Sequence, residues 1–348
     1  FESKSRIQFR GYKFKNCEGP FTYTGDYDPK NYDGDHGNIN MLEATQKSVN
    51  TYFVQLEAKV GICASIDTAQ KLGVKLADGD DMRKYAEYPS WVLGVAEVTP
   101  LSMAEAYATF ANRGVHCNPI ILQSVQTQDG TEVEIPSADC KQVISSDVAD
   151  GVSSILSTVM TQGTGTPARL PDGRPQAGKT GTTNNTQSVW FAGYTPDMAG
   201  VAYIAADVTS SRFKGKESKP IVGLRMSTGK VLEGSGGQDA GGIWKSAMSE
   251  ALKDIPASNF QEPNKRILEG EKVPVPNVAG MTEEQARQTL EAEGFSVGRT
   301  EQFSPQPAGT YLGKVFPSTR AAKYSTVQLV YSKGPIPTDT PTVAPGQP

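Results

Sequence analysis

Apolar positions recur at helical spacing in several separate stretches, and only further along the chain do they cluster as in strands. The first helical pattern begins near Ile39, pauses at Ser48-Val49-Asn50 and resumes through Tyr52-Phe53-Val54-Gln55-Leu56, with Gly61 as a stop. A short helix is expected from Ile66 to Leu72, closed by Gly73. Thr99-Pro100 joins a capping residue to a first-turn proline, and the helix it opens carries Met103, Ala106, Tyr107 and Phe110 on one face. Ile120-Ile121-Leu122 and Val133-Glu134-Ile135 flank a turn at Asp129-Gly130 and predict a hairpin. Val148, Val152, Ile155, Leu156 and Val159 predict a helix from about Asp147 to Met160. A Gly-, Thr- and Pro-rich loop follows from Gly163 to Pro175, then strands over Ser188–Tyr194 and Gly200–Ala206, and a last helix over Ile243–Leu252. Helices first, then strands and a closing helix, predict an α+β domain with its helical part packed on an antiparallel sheet.

The first 35 residues, rich in Gly, Tyr, Asn and Asp, read as irregular surface loops. Residues 1–260 are expected to form the main domain, and the charged, proline-bearing stretch 261–272 a linker. A small α+β module over 273–334 holds a helix, Thr282 to Glu293, with Glu283 and Glu284 in its first turn. Two or three strands complete it, ending in Val327-Gln328-Leu329-Val330-Tyr331, and a Pro/Thr-rich tail over 335–348 reads as disordered.

Composition narrows the classes. The 348 residues carry a net charge of −4, with 37% hydrophobic and 21% charged positions, as in an ordinary globular chain. No Lys/Arg run interleaved with aromatics marks a nucleic-acid partner. No apolar stretch approaches the ~18 residues that a spanning helix needs, so a membrane enters only through an N-terminal anchor expected upstream of Phe1. Cys17, Cys63, Cys117 and Cys140 are too widely spaced for a zinc ribbon, and His36 and His116 read as surface residues; no metal or cofactor is implied. An even cysteine count suits two disulfides outside the cytoplasm, with four buried thiols as the alternative. If the hairpin turns at Asp129-Gly130, Cys117 and Cys140 come close to opposite positions, where Cα atoms lie ~4.5 Å apart, within disulfide range. Cys17 is then left to pair with Cys63.

The richest segment is Gly178-Lys179-Thr180-Gly181-Thr182-Thr183. From Gly173 to Thr180 it satisfies the phosphate-loop pattern GxxxxGK[ST], but no buried strand precedes it and no helix start follows. The other reading is a KTG box on an edge strand, as in acyl-transferring serine enzymes. Lys179 then sets a cation beside a nucleophile and a substrate carboxylate. Thr180 and Thr182, with Thr183 after them, offer hydroxyls to that carboxylate. Gly181 lets a peptide lie against the strand. Ser48-Val49-Asn50, between two helices and well before KTG, fits the SxN box of the same class, with Ser48 relaying a proton and Asn50 holding a substrate amide. Taken alone, that triplet is equally a helix-capping serine.

Around these boxes the chain resembles the transpeptidase domain of class A (bifunctional) penicillin-binding proteins. The resemblance rests on Glu43-Ala44-Thr45-Gln46-Lys47-Ser48-Val49-Asn50-Thr51, on Gly94 to Leu101 running into Ala106 to Gly114, and on GKTGTT leading to Trp190-Phe191-Ala192-Gly193-Tyr194-Thr195-Pro196. It covers about residues 1 to 255. Val275-Pro276-Asn277-Val278-Ala279-Gly280-Met281 with Ala286, Leu290 and Gly294-Phe295 resembles a PASTA module, which points to a cell-wall enzyme of actinobacterial type. The family's nucleophile is the serine of an SxxK box before SxN, and nothing before Ser48 fits it. Ser211-Arg212-Phe213-Lys214 and Ser227-Thr228-Gly229-Lys230 match the pattern but follow KTG, so they read as chance.

The resemblance implies a serine-type D,D-transpeptidase that cross-links peptidoglycan stem peptides by acyl transfer from D-Ala-D-Ala and is acylated by β-lactams. Catalytic roles fall to Ser48, Asn50 and Lys179, and an oxyanion-binding N–H to Thr182. The implied partners are stem peptides, β-lactams and an upstream segment of the same protein carrying SxxK. The parent would also be a peptidoglycan glycosyltransferase, anchored at the extracytoplasmic face of the membrane. Three other readings compete: a non-catalytic peptidoglycan-binding protein that keeps the fold, a serine β-lactamase, and a histidine-dependent hydrolase. The last has no GxSxG near either histidine.

Overall fold

The computed structural model describes residues 1–336 apart from positions 208, 217, 218 and 324, so most of the tail read as disordered lies outside the described residues. Two compact units divide at Pro263/Asn264. In the first, β1 (Lys13–Lys15) and β2 (Pro20–Thr22) form a hairpin, and Phe9 and Phe14 are fully buried with Tyr23 and Tyr27 against them. The opening residues are mostly irregular and exposed, as read, but their aromatics contribute to the core. Their aromatics lack periodicity because an irregular chain wraps them onto Val54, Ile62 and Ile66 of the neighbouring helices.

Those helices are α1 (Met41–Lys47), α2 (Asn50–Val60) and α3 (Ile62–Lys71). The Asn40 side chain caps α1 by accepting the Glu43 N–H. Gly61, at φ 103°, closes α2, and α3 starts directly after it, four residues earlier than its apolar pattern announces. α4 (Pro100–Ala111) begins at Thr99 as its sequence predicts. The Cys17–Cys63 disulfide ties the β1–β2 turn to α3.

The predicted hairpin forms with its turn at Asp129-Gly130, but its strands are shorter and shifted. β3 (Val115–His116) pairs with β6 (Lys141–Gln142), and β4 (Val125–Gln126) with β5 (Glu132–Val133). Ile120-Ile121-Leu122 stays outside the ladder and exposed, because Pro119 beside it has no N–H to donate. The His116↔Lys141 register carries one step on to Cys117 and Cys140, which are bonded with Cα atoms 4.1 Å apart.

α5 (Ser146–Gln162) leads to the central antiparallel sheet of β7 (Ala177–Thr182), β8 (Ser188–Tyr194) and β9 (Ala199–Ala205), in the order β7-β8-β9. α6 (Gly241–Ala251) buries Trp244 and Met248 with Phe191, Val189 and Ala202 of the sheet. Tyr194 instead packs with Leu156 and Val159 of α5 and Tyr107 and Phe110 of α4. β8 thus shows alternate residues to two different helical layers.

The second unit contains α7 (Lys265–Glu269), β10 (Lys272–Pro274), α8 (Glu283–Ala292), β11 (Ser296–Gln302), β12 (Tyr311–Phe316), β13 (Arg320–Ala322) and β14 (Thr326–Ser332). A reciprocal cap between Thr282 and Gln285 opens α8. α7 and the start of β10 occupy the stretch read as a linker. β10 pairs with β13, where a proline at an edge costs little, so charge and proline there do not mean a free tether. Ala286, Leu290, Phe295, Val327 and Leu329 give this unit a core of its own.

One buried acid in the first unit is costly to ionise. Glu57 of α2 is 3% exposed, and neither carboxyl oxygen completes a hydrogen bond of normal geometry. Burial, only partly offset by the Val92 backbone and the Ser65 hydroxyl, pushes its pKa up to about 8. A folded pKa above the unfolded value makes its contribution complete below the unfolded pKa of ~4.3 and progressively lost as pH rises towards 8. Glu57→Gln should therefore raise the melting temperature at pH 8 by a few degrees and leave it nearly unchanged at pH 4.5, as thermal melts across that range would show. An equal shift at both values would mean that the gain is packing and not charge.

Candidate active site

The SxN segment sits at the break between α1 and α2. Ser48 is the C-cap of α1, with φ 56° and ψ 48°, and its N–H reaches back to Ala44 and Thr45 carbonyls. This left-handed conformation favours glycine, so a serine held there is mildly strained, and such strain concentrates at functional sites. Val49 turns the chain and Asn50 begins α2. The Asn50 Nδ2 donates to Lys30 O at 2.7 Å, which fixes the amide and leaves Oδ1 as its acceptor end. Lys30 is held in turn by its neighbour. Buried Asn31 donates to Lys4 O and Gly34 O and accepts the Thr51 N–H at 3.0 Å.

The KTG segment is β7, an edge strand. Lys179 crosses 131 residues of sequence to donate its Nζ to Ser48 Oγ at 2.7 Å and to Thr180 O at 3.1 Å. Desolvation lowers its pKa to about 8. Thr183 N donates to Ser188 O across the β7–β8 turn. Alternation then turns the Lys179 and Gly181 amides to β8 and leaves the N–H and C=O groups of Thr180 and Thr182 on the open edge. The Thr182 N–H is thus available to an incoming oxygen. The Thr180 hydroxyl meets Thr164 Oγ1 at 2.7 Å. Thr183 differs from expectation: its hydroxyl donates to Ser188 O and accepts Ser188 N–H, so it closes the turn.

Two supports escaped the sequence reading. The loop after α5 grips α1 where Thr164 N donates to Gln46 O at 3.1 Å, and a Cβ on Gly163 would lie 2.5 Å from that carbonyl. A π-helical turn, Gly236–Ala240, lies against β7, where a Cβ on Gly236 would lie 2.8 Å from Gly181 O. Asp239, fully buried, shapes this turn: its Oδ2 accepts the N–H groups of Glu233, Gly234 and Ser235, and Lys230 lies 3.3 Å from its Oδ1. Lys230 is the lysine of one chance SxxK match, and its role is this ion pair. The only sequence signal for either support was glycine density.

The phosphate-loop reading fails on topology, since Lys179 and Thr180 lie within an antiparallel edge strand and Asn184–Thr186 is a single 3-10 turn. Both imidazoles are more enclosed than expected. His36 is paired with Asp33 and His116 with Glu105, side chain to side chain, and neither is bonded to Ser48 or Lys179.

A lysine bonded to a strained serine beside an open strand edge thus brings a cation, a hydroxyl and unpaired backbone groups together. The Penicillin binding protein transpeptidase domain family matches residues 11–226, and the PASTA domain family matches residues 273–333. The chain belongs to the penicillin-binding protein transpeptidase family. Penicillin-binding protein 1A of Aquifex aeolicus is 31% identical over 244 residues, covering 70% of this chain and 30% of that protein. The structure of PonA1 from Mycobacterium tuberculosis in complex with penicillin V is similar at 25% identity and a TM-score of 0.54, over 75% of this chain and 67% of that one. Penicillin-Binding Protein 1A from Haemophilus influenzae shares the fold at 22% identity and a TM-score of 0.55, over 80% of this chain and 42% of that one. The chain spans under a third of the length of these curated relatives, 30% of the Aquifex protein and 22% of one from Clostridium acetobutylicum.

The Lys179 ammonium should titrate well apart from the exposed lysines. Heteronuclear NMR of the Nζ is expected to give a midpoint near 8, whereas ordinary lysines titrate at ~10.4. A midpoint in the ordinary range would mean that the group stays hydrated and that the Ser48 contact is not formed in solution.

Proposed function

We propose that this chain is the greater part of a D,D-transpeptidase active site whose acylated serine and lysine base lie on an upstream SxxK segment outside the sequence given. The observation that carries this reading is the 2.7 Å bond from Lys179 Nζ to Ser48 Oγ. Because Lys179 donates to Ser48, the serine's own proton is free to point outward, towards a leaving nitrogen. The upstream serine attacks the carbonyl of the penultimate D-Ala, and the C–N bond to the terminal D-Ala breaks. The lysine base takes the attacking serine's proton, while Ser48 gives its own to the leaving amine and is reprotonated by Lys179. The ester C–O bond then breaks as the amine of a neighbouring stem takes the acyl group. That amine's proton returns through Ser48 to Lys179, and the upstream serine regains its own from the lysine base. The Asn50 Oδ1 accepts from a substrate amide, the Thr182 N–H faces the developing oxyanion, and the open edge of β7 pairs with the peptide backbone.

The site and the match to penicillin-binding relatives support peptidoglycan stem peptides as substrates and β-lactams as acylating inhibitors. They also support a place on the extracytoplasmic face of the membrane, with an anchor and a glycosyltransferase domain further upstream.

In the full-length protein, Lys179→Ala should reduce the second-order rate of penicillin acylation by at least about a hundredfold, the scale of losing one charged transition-state contact, without lowering the melting temperature. A rate within a few-fold of wild type would remove Lys179 from the mechanism. No covalent labelling of the wild-type full-length protein would favour a non-catalytic wall-binding role. The chain Phe1–Pro348 alone should not be labelled, and a stable adduct on Ser48, Ser211 or Ser227 found by peptide mass spectrometry would overturn the missing-nucleophile reading.

Because the second unit has its own core, deleting residues 273–348 should leave the acylation rate nearly unchanged. A large fall in that rate would show that the PASTA unit takes part in the acyl site.

A further inference from the structure

Thr164, in the loop after α5, belongs to none of the boxes read from the sequence, yet three segments of the site meet at it. Its N–H donates to Gln46 O, two residues before Ser48. Its carbonyl lies where a Cβ on Gly237 would come within 2.5 Å, so the π-helical turn presses on it. Its hydroxyl is 2.7 Å from the hydroxyl of Thr180 in the KTG box. The backbone of Thr164 is thus held on both sides, while its side chain stays exposed to solvent beside Thr180.

We propose that Thr164 is a positioning residue for recognition of the substrate's terminal carboxylate, an inference that rests on the acyl-transfer reading above. A hydroxyl carries one proton and can accept two hydrogen bonds. If Thr180 donates to Thr164, its proton is spent and a carboxylate beside it finds only lone pairs. If Thr164 donates to Thr180, the Thr180 proton is free to point at the carboxylate, and the donated bond polarises it. Among the described residues Thr164 Oγ1 has no other hydrogen-bond partner, so no other protein group draws its proton away from Thr180. An anionic ligand selects it, and a neutral ligand at the same place gains far less from it.

The test uses the full-length protein and two donors, a thioester with a free terminal carboxylate and its methyl ester. Thr164→Val keeps the shape and removes the hydroxyl. It should lower kcat/KM for the acid about fivefold, the scale of the one neutral hydrogen bond that aims and polarises Thr180, and leave the ester within twofold. Thr164→Ser should restore the acid-to-ester ratio. An equal fall on both donors would show a packing role and overturn the proposal, as would an unchanged ratio. If the wild-type protein is acylated by neither donor and by no penicillin, the acyl-transfer reading itself fails and this inference falls with it.

Discussion

The contact on which the site depends is the bond from the Lys179 ammonium to the Ser48 hydroxyl, made between an edge strand and a helix break 131 residues apart in sequence. A lysine held out of water costs free energy unless acceptors replace its hydration. Here two are supplied, the Ser48 Oγ and the Thr180 carbonyl, and both positions are fixed by other parts of the fold. Ser48 must take a left-handed conformation to reach the lysine, which requires α1 to end one residue earlier and α2 to start two residues later. Thr180 can offer its carbonyl sideways only because β7 has no partner on that edge.

Rigidity around this contact comes from close backbone packing more than from side-chain bulk. Gly163 lets the loop after α5 lie on Gln46, and Gly236 lets the π-helical turn lie on Gly181. Neither approach leaves room for a β-carbon. The turn is held from within by the Asp239 carboxylate, whose burial is compensated by three backbone N–H groups and the Lys230 ammonium. With all three N–H groups on Oδ2 and only the ion pair at Oδ1, this carboxylate acts as a structural anchor. It fixes the rear of β7 while the front edge stays open for a ligand.

The sequence revealed the parts whose signals are local. Helix starts at Thr99-Pro100 and stops at Gly61 follow from capping and glycine stereochemistry, and the KTG and SxN boxes are contiguous triplets. The Cys117–Cys140 bond was legible because a turn at Asp129-Gly130 fixes the register of what flanks it. What remained hidden is tertiary. Phe9 and Phe14 have no periodicity, since they belong to an irregular layer whose burial is decided by α2 and α3. Thr164 and Asp239 meet groups of residues brought close only by folding, so no spacing announces them. Thr183 was misread for the opposite reason: its position beside the box suggested a ligand contact, whereas the turn to Ser188 claims its hydroxyl first.

A displaced pKa does not by itself distinguish the functional group from the structural one in this molecule. Burial moves Lys179 down and Glu57 up, and both arrive at about 8. The difference lies in what surrounds them. Glu57 is enclosed by the aromatic layer with Tyr27 nearby, has no complete hydrogen bond, and faces nothing a ligand could reach. Lys179 is bonded to a strained serine, next to unpaired amides on a free strand edge. An ionisable group near neutrality can serve in chemistry only where a transferable proton and an open approach meet it. Geometry therefore separates the two: the lysine stands at an open edge, and the glutamate is an enclosed acid that costs the fold stability as pH rises towards 8.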